Sequence, residues 1–143
     1  MIVQYYKPNS KNTGCAVSFD IGPNQKNKEP CVFVRAIKQF SWNQDRRTGS
    51  FSENSKNPEK SISLKINEIE VGGLINSISN YCEFSAFHSY QENKTAISFK
   101  PYSKKDGTKA FSFSINRNSA NKFGIGVEMS EAYSLLEFLK LYL

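Results

Sequence analysis

"SISLKINEIEVGGLINSISNYCEF", residues Ser61 to Phe84, changes its hydrophobic period halfway along. Ile62, Leu64 and Ile66 alternate with Ser61, Ser63 and Lys65, the two-residue repeat of a strand with one buried face. Asn67 then supplies an N-cap, Glu70 three residues on supplies the return partner of a capping box, and Ile66 with Val71 forms the hydrophobic staple across the cap. Val71, Leu74, Ile75 and Ile78 line one face of the helix that follows. Gly72 and Gly73 each cost such a helix about 1 kcal/mol relative to alanine. Their small size is therefore expected to admit a sheet or a neighbouring helix at close range.

The same order recurs towards the end of the chain. Phe123, Ile125 and Val127 alternate, and Ser130 then caps a run that places Ala132, Leu135, Leu136, Leu139 and Leu143 on one helical face. Between the two helices lie three further strands: Cys82 to Ser89 with Phe84 and Ala86 on one side, Lys94 to Pro101 with Ile97 and Phe99, and Lys109 to Ile115 with Phe111, Phe113 and Ile115. The turn before the last of these, Lys105-Asp106-Gly107-Thr108, reads as a two-residue type I′ hairpin, because Asp-Gly tolerates positive φ. In the first half Gly14 to Ile21 alternates, and Cys31 to Trp42 is a long apolar-rich segment. Pro23 and Pro30 bracket a polar loop, and the polar stretch from Asn43 to Lys60 carries a turn at Thr48-Gly49, with a short strand at Phe51. The expected fold is α+β: two ββββα repeats giving two antiparallel four-stranded sheets and two helices.

A chain of 143 residues is long enough for one compact domain with a sizeable core. No run approaches the 18 or so apolar residues of a membrane span, and the first six residues are too short and too polar in their flanks for a secretory signal. A soluble, intracellular protein is expected. The three cysteines, Cys15, Cys31 and Cys82, sit inside strand patterns and read as reduced thiols.

Little in the sequence points to catalysis. His88 is the one histidine, and its six-residue separation from Cys82 puts the two roughly 20 Å apart along a continuous strand, too far for a Cys-His pair. There is no CxxC or HExxH spacing for zinc and no glycine-rich phosphate loop before a helix. Gly124-Ile125-Gly126 lacks a third glycine and falls in a strand, where it reads as a site of close backbone approach or a bulge. No catalytic residue, metal or cofactor is expected.

The formal net charge is +6, which favours a polyanionic partner through counterion release. The cations gather in loops and strand ends, at Lys26, Lys28, Lys38, Arg46, Arg47, Lys56, Lys60, Lys94, Lys100, Lys104, Lys105 and Lys109. Aromatic residues are interleaved with them at Phe40, Trp42, Phe51, Phe87, Tyr90, Tyr102 and Phe111. Cations for phosphates beside rings for bases suit a single-stranded nucleic acid, each stacked base contributing about 1 to 3 kcal/mol. Singly, an exposed lysine is an ordinary solvated residue and Phe84, Phe99, Phe111 and Phe113 are core. Trp42 either packs under a sheet or stands at a binding edge.

From Ser61 to Phe84 the chain resembles the Whirly single-stranded-DNA-binding proteins. In that family a strand of the form "FSLS" runs into "TEIGTLISL" and then a "CEF" strand, against Ile62-Ser63-Leu64-Lys65, Asn67 to Ile75 and Cys82-Glu83-Phe84 here. "ISFKPYSKKDGTKAFSFSINR", Ile97 to Arg117, is similar to the family's hairpin of lysine-proline, Asp-Gly and an aromatic strand, and Phe40-Ser41-Trp42 stands where the family has "YDW". The resemblance runs from about Tyr6 to the C-terminus. It implies a homotetramer formed through the helices, with single-stranded DNA lying along sheet edges with little sequence preference, and it would make Gly72 and Gly73 helix-contact sites. The family's lysine-glycine-lysine falls on Thr13-Gly14-Cys15, so contacts or higher-order rings built on those lysines do not carry over, and the loop from Asn43 to Lys60 is longer than the family's. Without a transit peptide before Tyr6, a bacterial or phage setting is expected, in the host cytoplasm if phage-encoded.

The expected protein is thus a non-enzymatic single-stranded-DNA binder serving replication, recombination or repair. Phosphates are expected at Lys38, Arg46, Arg47, Lys56, Lys60, Lys94, Lys100, Lys104, Lys105 and Lys109, and bases at Phe40, Trp42, Phe87, Tyr90 and Tyr102. Two rival readings are an RNA-binding module of the same fold, which the 2′-hydroxyl would distinguish, and a structural or virion-associated assembly protein.

Overall fold

Both halves of the capping box at Asn67 form. Asn67 Oδ1 accepts the Glu70 N–H at 2.8 Å, and Glu70 Oε1 accepts the Asn67 N–H at 2.9 Å. A computed structural model describes residues 1–23 and 26–143, so part of the polar loop between Pro23 and Pro30 lies outside the described residues. The strands are β1 (Ile2–Lys7), β2 (Cys15–Pro23), β3 (Pro30–Lys38), β4 (Ser41–Asn43), β5 (Thr48–Ser50), β6 (Ser61–Ile66), β7 (Phe84–Tyr90), β8 (Asn93–Ser103), β9 (Lys109–Arg117) and β10 (Asn121–Glu128), and the helices are α1 (Glu68–Asn80) and α2 (Met129–Tyr142). They build an α+β chain with antiparallel sheets in the orders β1-β2-β3-β6, β10-β9-β8-β7 and β4-β5. Contacts divide the chain into two compact units, Met1–Ile66 and Asn67–Leu143.

In the first unit the register Phe19↔Val34↔Leu64 and Val17↔Ala36↔Ile62 puts the alternating apolar residues of three strands on one face, and Val17, Phe19, Val34 and Ala36 are buried. The sequence reading differs from this unit in three places. Ile2–Lys7 is a strand paired with β2 along its whole length, and it occupies the place in the four-stranded sheet expected of Phe51. Cys31 to Trp42 is two strands, β3 and β4. Thr48-Gly49 lies in β5, the turn falls at Gln44–Arg47, and Phe51 is buried beside a single 3₁₀ turn, Ser52–Asn54.

Gln39 causes the split. Its buried side-chain Oε1 accepts the N–H groups of Asn9 and Gly14, both at 3.0 Å, while Nε2 donates to Asn9 O at 3.0 Å and Ser41 O at 3.1 Å. One amide thereby satisfies four backbone groups where the ladder breaks. Gly14 makes this possible: a Cβ there would stand 2.3 Å from Lys7 O and 2.5 Å from Gln39 Oε1. Gly14→Ala is expected to destabilise the protein by about 1 to 3 kcal/mol through overpacking. Urea unfolding tests this, and an unchanged midpoint would show that the loop yields instead.

In the second unit the rows Phe84↔Phe99↔Phe113↔Ile125 and Ala86↔Ile97↔Ile115↔Phe123 face α1 and α2. Phe99, Phe111, Phe113 and Phe123 are buried with Leu74, Ile78, Leu135 and Leu139. Gly73 admits the Phe84 ring, which a Cβ would meet at 2.5 Å, but Gly72 has open space, so close approach holds for one glycine of the pair. Helix α2 begins one residue before Ser130: its N-cap is Glu128, whose N–H donates to Glu131 Oε1 at 2.9 Å. Leu143 lies beyond the helix and is exposed. The β8–β9 hairpin closes with a longer loop than type I′, in which Gly107 alone has positive φ (+84°) and donates to Lys104 O at 2.9 Å. Asp106 Oδ1 takes the Thr108 N–H at 2.9 Å, which favours the glycine-bulge form of the turn. The three cysteines are free thiols, and among the described residues no helix is long and apolar enough to cross a membrane.

Candidate nucleic-acid interface

The strand period that buries one face of the second sheet exposes the other. Across β7 to β10, Ser85, Ser98, Ser114 and Gly124 form one row of this uncovered face, and Phe87, Ala96, Asn116 and Lys122 form the next. Further along, Lys100, Ser112 and Gly126 form a row beside that of Tyr102, Ala110 and Glu128. Serine and glycine at the centre leave a shallow trough of about 630 Å³, lined by Lys100, Tyr102, Ser112, Ser114, Lys122, Gly124 and Gly126. A second hollow of about 240 Å³ is lined by Phe87, Lys94, Ala96, Asn116, Asn118 and Ser119. The rings on this face are exposed, Phe87 to 63% and Tyr102 to 39%.

The face is positively charged and pre-shaped. Lys94, Lys100 and Lys122 are exposed and take part in no ion pair among the described residues. The one carboxylate in these rows, Glu128, is bonded to Lys104. That hydrogen bond is the main reason the Lys104 ammonium titrates above the ordinary lysine range, and it neutralises a charge the sequence assigned to phosphate. Gly126 lets the Tyr102 hydroxyl lie against β10, since a Cβ there would stand 3.1 Å from it. The Gly-Ile-Gly stretch is therefore a site of close approach with an unbroken register and no bulge. At the smaller hollow, Asn118 is stitched to the start of β8. Its N–H donates to Lys94 O at 2.7 Å, its Oδ1 accepts the Lys94 N–H at 2.8 Å, and its Nδ2 donates to Asn93 Oδ1 at 3.2 Å.

The remaining expected residues of this unit stand elsewhere. Lys109 alternates with buried Phe111 and lies over the Tyr81 ring at 5.1 Å, on the side of the helices. Tyr90 is on the same side as His88, at the exposed end of β7, and Lys105 is in the β8–β9 turn. His88 Nε2 meets Glu70 Oε2 at 2.5 Å, bracing β7 to the carboxylate that closes the α1 cap. Among the described residues no three His, Cys, Asp or Glu side chains gather as metal ligands would.

In the first unit the expected residues cluster at the β4–β5 hairpin and the chain after it. Arg46 and Arg47 form the exposed tip, where Asn43 Oδ1 accepts the Arg46 N–H at 3.0 Å and Arg47 has φ +52°. Trp42 is half-buried and donates its indole N–H to Gln44 Oε1 at 2.9 Å, and Phe40 is exposed. Lys38 ends β3 with its carbonyl accepting from Asn54 Nδ2 at 2.9 Å, and Lys56 and Lys60 are exposed. Asp45, Glu53 and Glu59 are interspersed with these cations, so the stretch from Phe40 to Lys60 carries four cations against three anions.

Lys122 and the serine rows escaped the sequence reading. The signal was present, because Lys122, Gly124 and Gly126 alternate with buried Phe123, Ile125 and Val127. Compared with family models, curated proteins and solved structures, the chain matches none of them.

Proposed function

We propose that the protein binds single-stranded DNA with little sequence preference, without catalysing a reaction, and that the uncovered face of the second sheet is its principal contact surface. The observation that carries this reading is one sheet face holding three unpaired lysines, two exposed rings and neutral hydroxyls, with its single carboxylate already bonded to Lys104. Lysines attract phosphates, and exposed rings stack on any base. At the centre of the face, serine and glycine leave no long side chain to read base edges in a fixed register. The reading extends to a Whirly-like organisation: β1, β2, β3 and β6 with α1 and then β7 to β10 with α2 as two ββββα repeats, assembled as a homotetramer through the helices. Ile69 on α1 is 83% exposed and Gly72 has open space where a Cβ would stand, which suits a helix awaiting a neighbour.

The test is a fluorescence-anisotropy titration of labelled oligo-dT at two salt concentrations, with duplex DNA and single-stranded RNA as competitors. Binding that weakens with salt and resists duplex is the expected result. Equal or better competition by RNA would reassign the ligand to RNA, and no binding at low salt would leave an assembly role in its place.

A further inference from the structure

The uncovered face of the second sheet carries its two exposed rings at separate hollows, and the larger one reaches through Ser114 to Lys122, in the same row as Asn116 of the smaller. Its two hollows repeat the same chemistry: Tyr102 with Lys100 and Lys122 at the larger, and Phe87 with Lys94 and Asn116 at the smaller. Phe87 is level with Ala96 on β8, and Tyr102 lies six residues further along that strand, a separation of roughly 20 Å at the rise of a strand. Between them the Ser98–Ser114 row offers hydroxyls but no ring. At the smaller hollow the Asn118 turn is held to β8 by three hydrogen bonds, so its shape is set before anything binds.

Resting on the single-strand reading above, we propose that these hollows are two distinct nucleotide subsites and that one strand must reach both to bind tightly. A stacked strand advances about 3.4 Å per nucleotide, so roughly six nucleotides span the gap, and fewer if the strand is stretched. A shorter ligand occupies one subsite at a time. A ligand that spans both gains the effective concentration of a tethered second contact, which multiplies affinity by orders of magnitude rather than adding to it. Affinity should therefore rise in a step with length.

Unlabelled oligo-dT of increasing length, from about two to ten nucleotides, competing with a longer labelled strand, tests this. Wild-type protein is expected to show a rise of at least about tenfold between roughly four and seven nucleotides. Phe87→Ala changes an exposed ring and leaves the fold intact, checked by circular dichroism. It is expected to abolish the step while lowering the affinity of the shortest ligands by no more than about twofold, since these keep the other subsite, and Tyr102→Ala is expected to do the same. A smooth rise with length, or a step that survives Phe87→Ala, overturns the two-subsite inference alone. Absence of binding at every length overturns the single-strand reading and this inference with it.

Discussion

Phe99→Ala is expected to remove about 3 to 5 kcal/mol of stability, the usual cost of deleting a fully buried ring and leaving a cavity. Phe99 has no exposed surface. Its ring stacks on Phe111 with centroids 4.6 Å apart and meets Phe113 edge-on at 6.0 Å, and it stands in register between Phe84 and Phe113 at the centre of the second sheet. Neither neighbour can collapse into the space without leaving its own strand position, so relaxation should be small. Against a total stability of about 5 to 15 kcal/mol, the loss should lower the thermal midpoint by roughly 10 to 20 °C. Calorimetry or thermal circular dichroism measures it. Phe87→Ala is the matched control, a ring on the adjacent strand but the opposite face, and is expected to shift stability by no more than about 0.5 kcal/mol. Similar losses in both variants would mean that the assignment of the two faces is wrong.

That pair also marks what the sequence reveals. A two-residue period is a statement about faces, so once Phe84 and Ala86 on β7 and Ile97 and Phe99 on β8 are read as facing the core, the opposite facing of Phe87, Lys100 and Tyr102 follows without any knowledge of the tertiary fold. The Asn67 cap was legible for a similar reason: both hydrogen bonds of its capping box join residues three positions apart. What escaped depends on partners distant in the chain. The break between β3 and β4 is made by Gln39 bonding to Asn9 and Gly14, and nothing local distinguishes that glutamine from a surface one. Ile2–Lys7 is a strand because β2 pairs with it, although Val3 and Tyr5 alternate as β2 does. At α2, Ser130 is the better intrinsic cap, but Glu131 reaching back to the Glu128 N–H sets the cap two residues earlier.

For the interface, residue type was legible and grouping was not. Of the expected cations in the second unit, Lys94 and Lys100 share the uncovered face, Lys109 lies on the helix side, and Lys104 is committed to Glu128. Counting basic residues could not separate these, because a lysine's face depends on register and its availability depends on which carboxylate folding brings near. In the first unit the near balance of charge from Phe40 to Lys60 argues against a dominant role in holding phosphate, despite the two exposed arginines at the hairpin tip.

Lys100→Ala combined with Lys122→Ala should therefore do more to oligo-dT binding than any comparable pair elsewhere in the chain. Both lysines line the larger trough, and neither has an anion to release. Each phosphate contact on a single strand contributes about 0.7 to the slope of log affinity against log salt, so removing both should flatten that slope by about 1.4. The accompanying loss of affinity should be at least about tenfold at low salt and should shrink as salt rises, because fewer counterions are released on binding. Arg46→Ala with Arg47→Ala removes the same formal charge from the hairpin tip, where Asp45 stands beside them, and is expected to leave the slope nearly unchanged. The two double variants carry equal net charge, so a general loss of electrostatic attraction would affect both alike. A larger flattening from the arginine pair would move the principal phosphate contacts from the second sheet to the β4–β5 hairpin.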